Sequence, residues 1–182
     1  MECIQSDANI TWINTYRLLL ADKLGYDILP KTMLHNGSFA MITKRPRPSC
    51  QITMRVPFHD LDPMQVVWHG NYYKYFDQAR FKLFQQCGVE LYTLYQKTNL
   101  LLPIVRTTCK HIAALGHNDQ FTCTASLIEA HIKIIIDFEI RQTSDGALCT
   151  RARSEQVAVK MPENELLLEI PESICNALNG AV

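Results

Sequence analysis

The chain has 182 residues, 47% of them hydrophobic, with 18 basic and 18 acidic side chains and a formal net charge of zero. That length suits one domain with an appendage, and that apolar content supports a sizeable core. The charge balance excludes a sequence-independent grip on nucleic acid or an anionic membrane, and no apolar run reaches the ~20 residues of a membrane span.

The N-terminus carries Glu2 and Asp7 and has no basic-then-apolar leader pattern. The seven cysteines are scattered, odd in number and without a Cys-x-x-Cys pair. This argues against a disulfide framework or a zinc site and points to reduced thiols in a cytoplasmic protein.

Residues 1–48 read as an extension and linker, and residues 49–182 as the main domain. Asp7 or Asn9 is a candidate cap for a helix carrying Ile10, Ile13, Tyr16 or Arg17, Leu20 and Leu24, with Gly25 as its stop. Pro30, Asn36-Gly37 and Arg45-Pro46-Arg47-Pro48 then punctuate the chain. From Gln51 to Phe58, Ile52, Met54, Val56 and Phe58 alternate along an expected strand. An acidic turn follows, then a helix from about Asn71 to Gln86. Tyr72, Tyr75, Phe76, Ala79 and Leu83 form one stripe of it, and Tyr73, Phe81 and Phe84 put aromatics on its other faces. A helix apolar nearly all round is expected to be buried. Gly88 is placed to end it, and a shorter helix is expected from Glu90 to Gln96.

Strands are expected from Leu102 to Ile112, Gln120 to His131, Lys133 to Arg141 and Leu148 to Lys160. In the second of these Phe121, Cys123, Ala125 and Leu127 share a face. In the third Ile134, Ile136, Phe138 and Ile140 do so. Ser144-Asp145-Gly146 is a turn signal, and Ser173 to Leu178 fits a terminal helix. The sum is an α+β architecture, an antiparallel β-sheet wrapped around a long central α-helix, with an N-terminal helical extension. Such a sheet leaves edges, which self-association commonly covers.

The stretch from Phe58 to Arg80 gathers two carboxylates, Asp60 and Asp62, two imidazoles, His59 and His69, and a helix start with its unpaired N–H groups. Asp62 precedes a proline, which biases it to extended geometry; spacing alone suits an Asx-type turn as well as a reactive carboxylate. Asp60 reads as a solvated neighbour and His59 as outward-facing. The backbone N–H of His69 is an orphan donor, Asn71 is a candidate helix cap, and Asp77 and Arg80 are spaced to pair on one helix face. Arg106, Lys110, Arg151 and Arg153 read as solvated strand faces. No Gly-rich phosphate loop, Gly-x-Ser-x-Gly elbow or metal-ligand spacing of His111, His117 and His131 is present.

The run Asp62-Pro63-Met64-Gln65-Val66-Val67-Trp68-His69-Gly70-Asn71-Tyr72, with the trailing Tyr75-Phe76-Asp77-Gln78-Ala79-Arg80, resembles the hotdog-fold acyl-CoA thioesterases of the 4-hydroxybenzoyl-CoA thioesterase type. The likeness covers roughly residues 51–160. It implies hydrolysis of acyl-CoA to free acid and CoA without metal or cofactor. It further implies that Asp62 is the catalytic carboxylate, as base on water or as direct nucleophile, and that the His69 N–H holds the thioester carbonyl oxygen. Gln65, Trp68, Gly70, Asn71, Tyr72, Tyr73 and Phe76 would contact substrate. The resemblance implies a homodimer or homotetramer with acyl-CoA at the protomer interface. The sequence departs from the family at Gln65, where glycine is usual; glycine tolerates positive φ and close approach of a ligand, and Gln does neither easily. Two other readings stand beside this one: hydrolysis of acyl carrier protein thioesters, and a non-catalytic acyl-binding hotdog protein.

Overall fold

The computed structural model describes residues 47–180, together with the backbone of two short strands in the preceding segment. The chain divides into two compact units, Met1–Pro46 and Arg47–Val182. In the first, β1 (Tyr26–Asp27) pairs antiparallel with β2 (Thr43–Lys44), Tyr26 opposite Lys44. The expected helix over Ile10 to Leu24 lies outside the described residues.

The second unit is built on a five-stranded antiparallel sheet. Its strands are β3 (Ser49–Arg55), β5 (Ile104–His111), β6 (Gln120–Ala130), β7 (Ile134–Gln142) and β8 (Leu148–Gln156), in the order β3-β6-β7-β8-β5. Successive side chains of a strand point to opposite faces, so the alternation read from sequence becomes burial directly. Phe121, Cys123, Ala125 and Leu127 of β6, and Ile134, Ile136, Phe138 and Ile140 of β7, are all buried.

The inner face of the sheet packs on one helix, α1 (Tyr72–Gln86), which lies against β3 and β6. Tyr72, Tyr75, Phe76, Ala79, Leu83 and Phe84 are its buried side chains. Ala79 at the helix middle has no exposed surface, which lets the helix backbone come close to the sheet. Gly88 ends it at φ +74, the left-handed conformation only glycine adopts freely. The all-round burial expected of this helix is not found: Tyr73 is 45% and Phe81 54% exposed, on the face turned from the sheet.

A shorter helix, α2 (Leu91–Thr98), is capped by the Glu90 side chain, which accepts from the Tyr92 and Thr93 N–H groups. Asn99 closes it at φ +56. The strand expected from Leu102 starts instead at Ile104, because Pro103 has no N–H to offer a ladder. Ahead of it, β4 (Leu100–Leu101) pairs with β9 (Val159–Lys160). β9 also pairs with β10 (Glu165–Leu166), and α3 (Glu172–Leu178) buries Ile174 and Leu178. The last long strand therefore breaks after Gln156 rather than running on to Lys160.

The outer face of the sheet is a lattice of ion pairs. Arg153 donates to both Asp137 carboxylate oxygens at 2.6 and 2.8 Å, Arg151 to Glu139 at 2.9 Å and Lys133 to Glu155 at 2.8 Å. The basic strand residues are thus largely matched by acidic neighbours. Exposed pairs of this kind contribute ~0–1 kcal/mol each.

Candidate active site

β3 ends at Arg55, short of the expected Phe58. Val56 turns its N–H to Asp119 O at 3.0 Å, and Pro57 cannot continue a ladder. Phe58–Asp60 then form a 3₁₀ turn that leaves Phe58 71% exposed. From Asp60 the chain folds back as a tight hairpin. Leu61 pairs with Val67, the Asp62 N–H donates to Val66 O at 2.8 Å, and the Trp68 N–H donates to Asp60 O at 2.9 Å. The loop 112–119 adds a third layer: the Val67 N–H donates to Leu115 O at 2.8 Å, and Val66 bridges to Gly116.

Asp62 sits in the turn of this hairpin, half-buried, its Oδ1 accepting the Met64 N–H at 2.8 Å. That is an Asx turn. Its Oδ2 has no hydrogen-bond partner among the described residues. Gln65 closes the turn at φ +63, so the position does require the left-handed conformation that glycine gives without strain. A side chain there costs ~1–2 kcal/mol. Gln65→Gly is therefore expected to raise the melting midpoint by a degree or two, after the ~0.4–1 kcal/mol entropic offset of a freer unfolded chain. Gln65→Val, β-branched at positive φ, is expected to lower it by several degrees. Thermal melts of the two variants check both signs.

The helix begins as a 3₁₀ turn, His69–Asn71, that runs into α1. Neither start carries a side-chain cap; the Asn71 N–H donates to Trp68 O at 2.8 Å, and the His69 N–H has no partner among the described residues. The capping expected of Asn71 does not occur: its Nδ2 reaches back instead and donates to Asp60 O at 2.9 Å. The Trp68 indole lies against Gly70 so closely that any Cβ at Gly70 would overlap it. Trp68 is 49% exposed and Tyr73 45%, whereas Tyr72 and Phe76 are buried in the core.

Asp60 is not the solvated carboxylate read from sequence. It is 2% exposed, and its carboxylate accepts from Lys74 Nζ at 2.5 Å and Tyr75 Oη at 2.6 Å. Burial pushes its pKa up, and the Lys74 and Tyr75 hydrogen bonds outweigh that, so it lies below the usual carboxylate value. A depressed carboxyl pKa stabilises the fold above the unfolded pKa and loses that contribution as pH falls through the folded one. The other half of this pair is Tyr75, whose phenol is driven upward by burial and by the Asp60 charge.

A group from distant sequence joins the helix start. The His111 ring, at the end of β5, meets Tyr72 edge-on with centroids 4.6 Å apart, and its Nε2 lies 3.5 Å from Cys109 Sγ. Burial holds the His111 pKa below its ordinary value, and the nearby His69 imidazole adds to this. Arg80 and Asp77 pair as their spacing suggested, and Arg80 is buried. Its Nη2 donates to Ser154 Oγ at 3.2 Å and its guanidinium lies over the Phe138 ring.

An antiparallel sheet wrapped on one long helix is the architecture of a hotdog protein. The chain belongs to the thioesterase-like superfamily, whose family model matches residues 56–178. It is 25% identical over 130 residues to the 4-hydroxybenzoyl-CoA thioesterase of Pseudomonas sp. strain CBS-3, spanning 68% of this chain and 92% of that one. The structure of a gentisyl-coenzyme A thioesterase superposes with a TM-score of 0.61 at 25% identity, covering 70% of this chain and 98% of the other. The 1,4-dihydroxy-2-naphthoyl-CoA thioesterase of Synechocystis shares the fold with a TM-score of 0.64 at 20% identity, covering 71% and 95%.

Proposed function

We propose that this protein hydrolyses acyl-CoA thioesters to the free acid and CoA, with Asp62 as general base or nucleophile and the His69 N–H as donor to the thioester oxyanion. The observation that carries the reading is the half-buried Asp62 held in the turn of a hairpin whose return limb leads directly into an uncapped helix start. A carboxylate with one oxygen held by the Met64 N–H and the other unpartnered among the described residues is oriented and still available. A helix start is suited to charge developing on a carbonyl oxygen, because its donors are fixed before the reaction begins. Trp68, Tyr73 and Gln65 offer exposed surface for substrate, while Tyr72 and Phe76 support the wall behind. Relatives named as CoA thioesterases support the same chemistry. The free thiols of the six described cysteines fit a cytoplasmic setting.

A panel of acyl-CoA substrates with thiol release as readout tests the reading. Release of CoA from at least one, at a rate well above buffer, is the expected result. Release only from acyl carrier protein thioesters would favour the carrier-protein reading. Tight acyl-CoA binding without release would favour the non-catalytic one, and the strained Gln65 is the feature that would then explain it.

The reading includes a homodimer or homotetramer. β5 is an edge strand with Ile104, Val105 and Ile112, at or beside it, exposed, and α1 leaves Tyr73 and Phe81 uncovered. An unpaired apolar edge invites pairing with a second chain. Light scattering at micromolar concentration is expected to give at least twice the chain mass; a fully active monomer would sink this part of the proposal.

A further inference from the structure

We propose that Asp60 is a positioning residue for the reaction, bracing both ends of the loop that carries Asp62 and His69. The inference rests on the reading of those two residues as the reacting pair. Between Asp60 and the first turn of α1 the chain makes one excursion, and four hydrogen bonds that fasten it converge on Asp60. Its carbonyl accepts the Trp68 N–H and the Asn71 side chain, both at 2.9 Å. Trp68 immediately precedes His69, so the first of these bonds fixes the peptide next to the one that carries the His69 N–H. Its carboxylate takes Lys74 at 2.5 Å and Tyr75 at 2.6 Å, both from α1. The residue is thus tied to the return limb of the hairpin and to the helix at once, and Asp62 lies two residues away on the same limb.

A buried carboxylate is costly unless satisfied, and this one is satisfied only while the helix stays where Lys74 and Tyr75 can reach it. The brace is therefore reciprocal: movement of the turn from the helix would strand a buried charge. The surroundings match. A depression of about 360 Å³ beside it is lined by Met54, Arg55, His59, Lys74, Tyr75 and Gln78, and His59 Nε2 stands 3.8 Å from Asp60 Oδ1. Asp60 is 2% exposed and both its carboxylate oxygens are taken by Lys74 and Tyr75, so its effect on the reaction passes through geometry.

Asp60→Asn keeps the shape and removes the charge. In the full chain it is expected to lower kcat by ~10–10²-fold with KM little changed, since a displacement of about 1 Å at a reacting group can cost that much. Amide hydrogen exchange gives a second readout that does not need activity. Trp68 and Asn71 are expected to exchange at least tenfold faster in the variant, while β6 and β7 amides do not change. Tyr75→Phe keeps the ring packed on Phe121, 4.8 Å between centroids, and removes one donor. It is expected to give the same pattern in milder form and serves if Asp60→Asn does not fold. Unchanged Trp68 exchange, or a kcat within twofold of the parent in a folded variant, overturns the proposal. A parent protein that releases no thiol, combined with faster Trp68 exchange in the variant, overturns the catalytic reading and leaves Asp60 as the brace of the loop.

Discussion

Asp62→Asn is expected to lower kcat on acyl-CoA by about 10²-fold or more, with KM little changed. The substitution is chosen because the turn should survive it. Oδ1 of Asp62 accepts the Met64 N–H, and an Asn side-chain oxygen can accept the same bond, so the Asx turn persists. What is lost is the charge and the basic lone pair of the second oxygen. A positioned general base contributes ~10²–10⁴ in rate, and a covalent nucleophile at least as much, so both roles predict the same large fall. Thiol release measured over a range of substrate concentrations separates kcat from KM, and a parallel melt shows whether the fold is intact. Turnover within threefold of the parent would remove Asp62 from the chemistry. A greater loss in Asp60→Asn than in Asp62→Asn would reverse the order of importance between the two carboxylates.

The legible part of this fold was the part in which side-chain pattern and burial are the same variable. Along β7, and along β6 as far as Leu127, the period of two assigns the inward residues, because both strands are interior to the sheet and only one face meets the helix; beyond Leu127 an irregularity in register turns Ala130 inward instead of Glu129. The helix stop at Gly88 was legible for a similar reason: the φ of +74 is a property of one residue. Asp60 was not legible. Its burial depends on Lys74 and Tyr75 converging on it from the next element, and a carboxylate between His59 and Leu61 carries no local sign of that. The same holds for His111 and Leu115, which reach the helix start from β5 and the loop after it. Tyr73 and Phe81 show a third limit. Aromatic content around α1 tells that the surface wants covering, but not whether this chain or another covers it. At the candidate site the Asp62 turn and the orphan N–H at His69 were both visible, since a proline-flanked acid and a helix start are local features. Gln65 was visible as a conflict, a bulky residue at a place suited to glycine, and the structure holds that conflict as a positive φ.

Phe76→Ala is expected to destabilise the second unit by ~3–5 kcal/mol, the usual cost of deleting a fully buried ring. Phe76 stood in the sequence among the residues lining the substrate site, beside Tyr73. Their positions now separate. Phe76 is 1% exposed and stacks on Phe138 of β7 with centroids 5.0 Å apart, whereas Tyr73 is 45% exposed. The Phe76 ring fills the contact between helix and sheet at its centre, where Ala79 brings the two backbones close and Phe138 and Ile136 have no room to collapse inward. In a chain of this length ~1 kcal/mol moves the melting midpoint by ~2–4 °C, so the fall should be roughly 10 °C. Tyr73→Ala should shift the midpoint by no more than a degree or two, because an exposed ring has little burial to lose. Its effect should fall on KM for acyl-CoA instead, if the ring contacts the acyl group. Thermal melts and steady-state kinetics on the two variants test the division. A small melting shift in Phe76→Ala together with a large rise in KM would mean that the ring faces a substrate channel opened by association of two chains, and that the core between α1 and β7 is held by Phe84 and Leu83 without it.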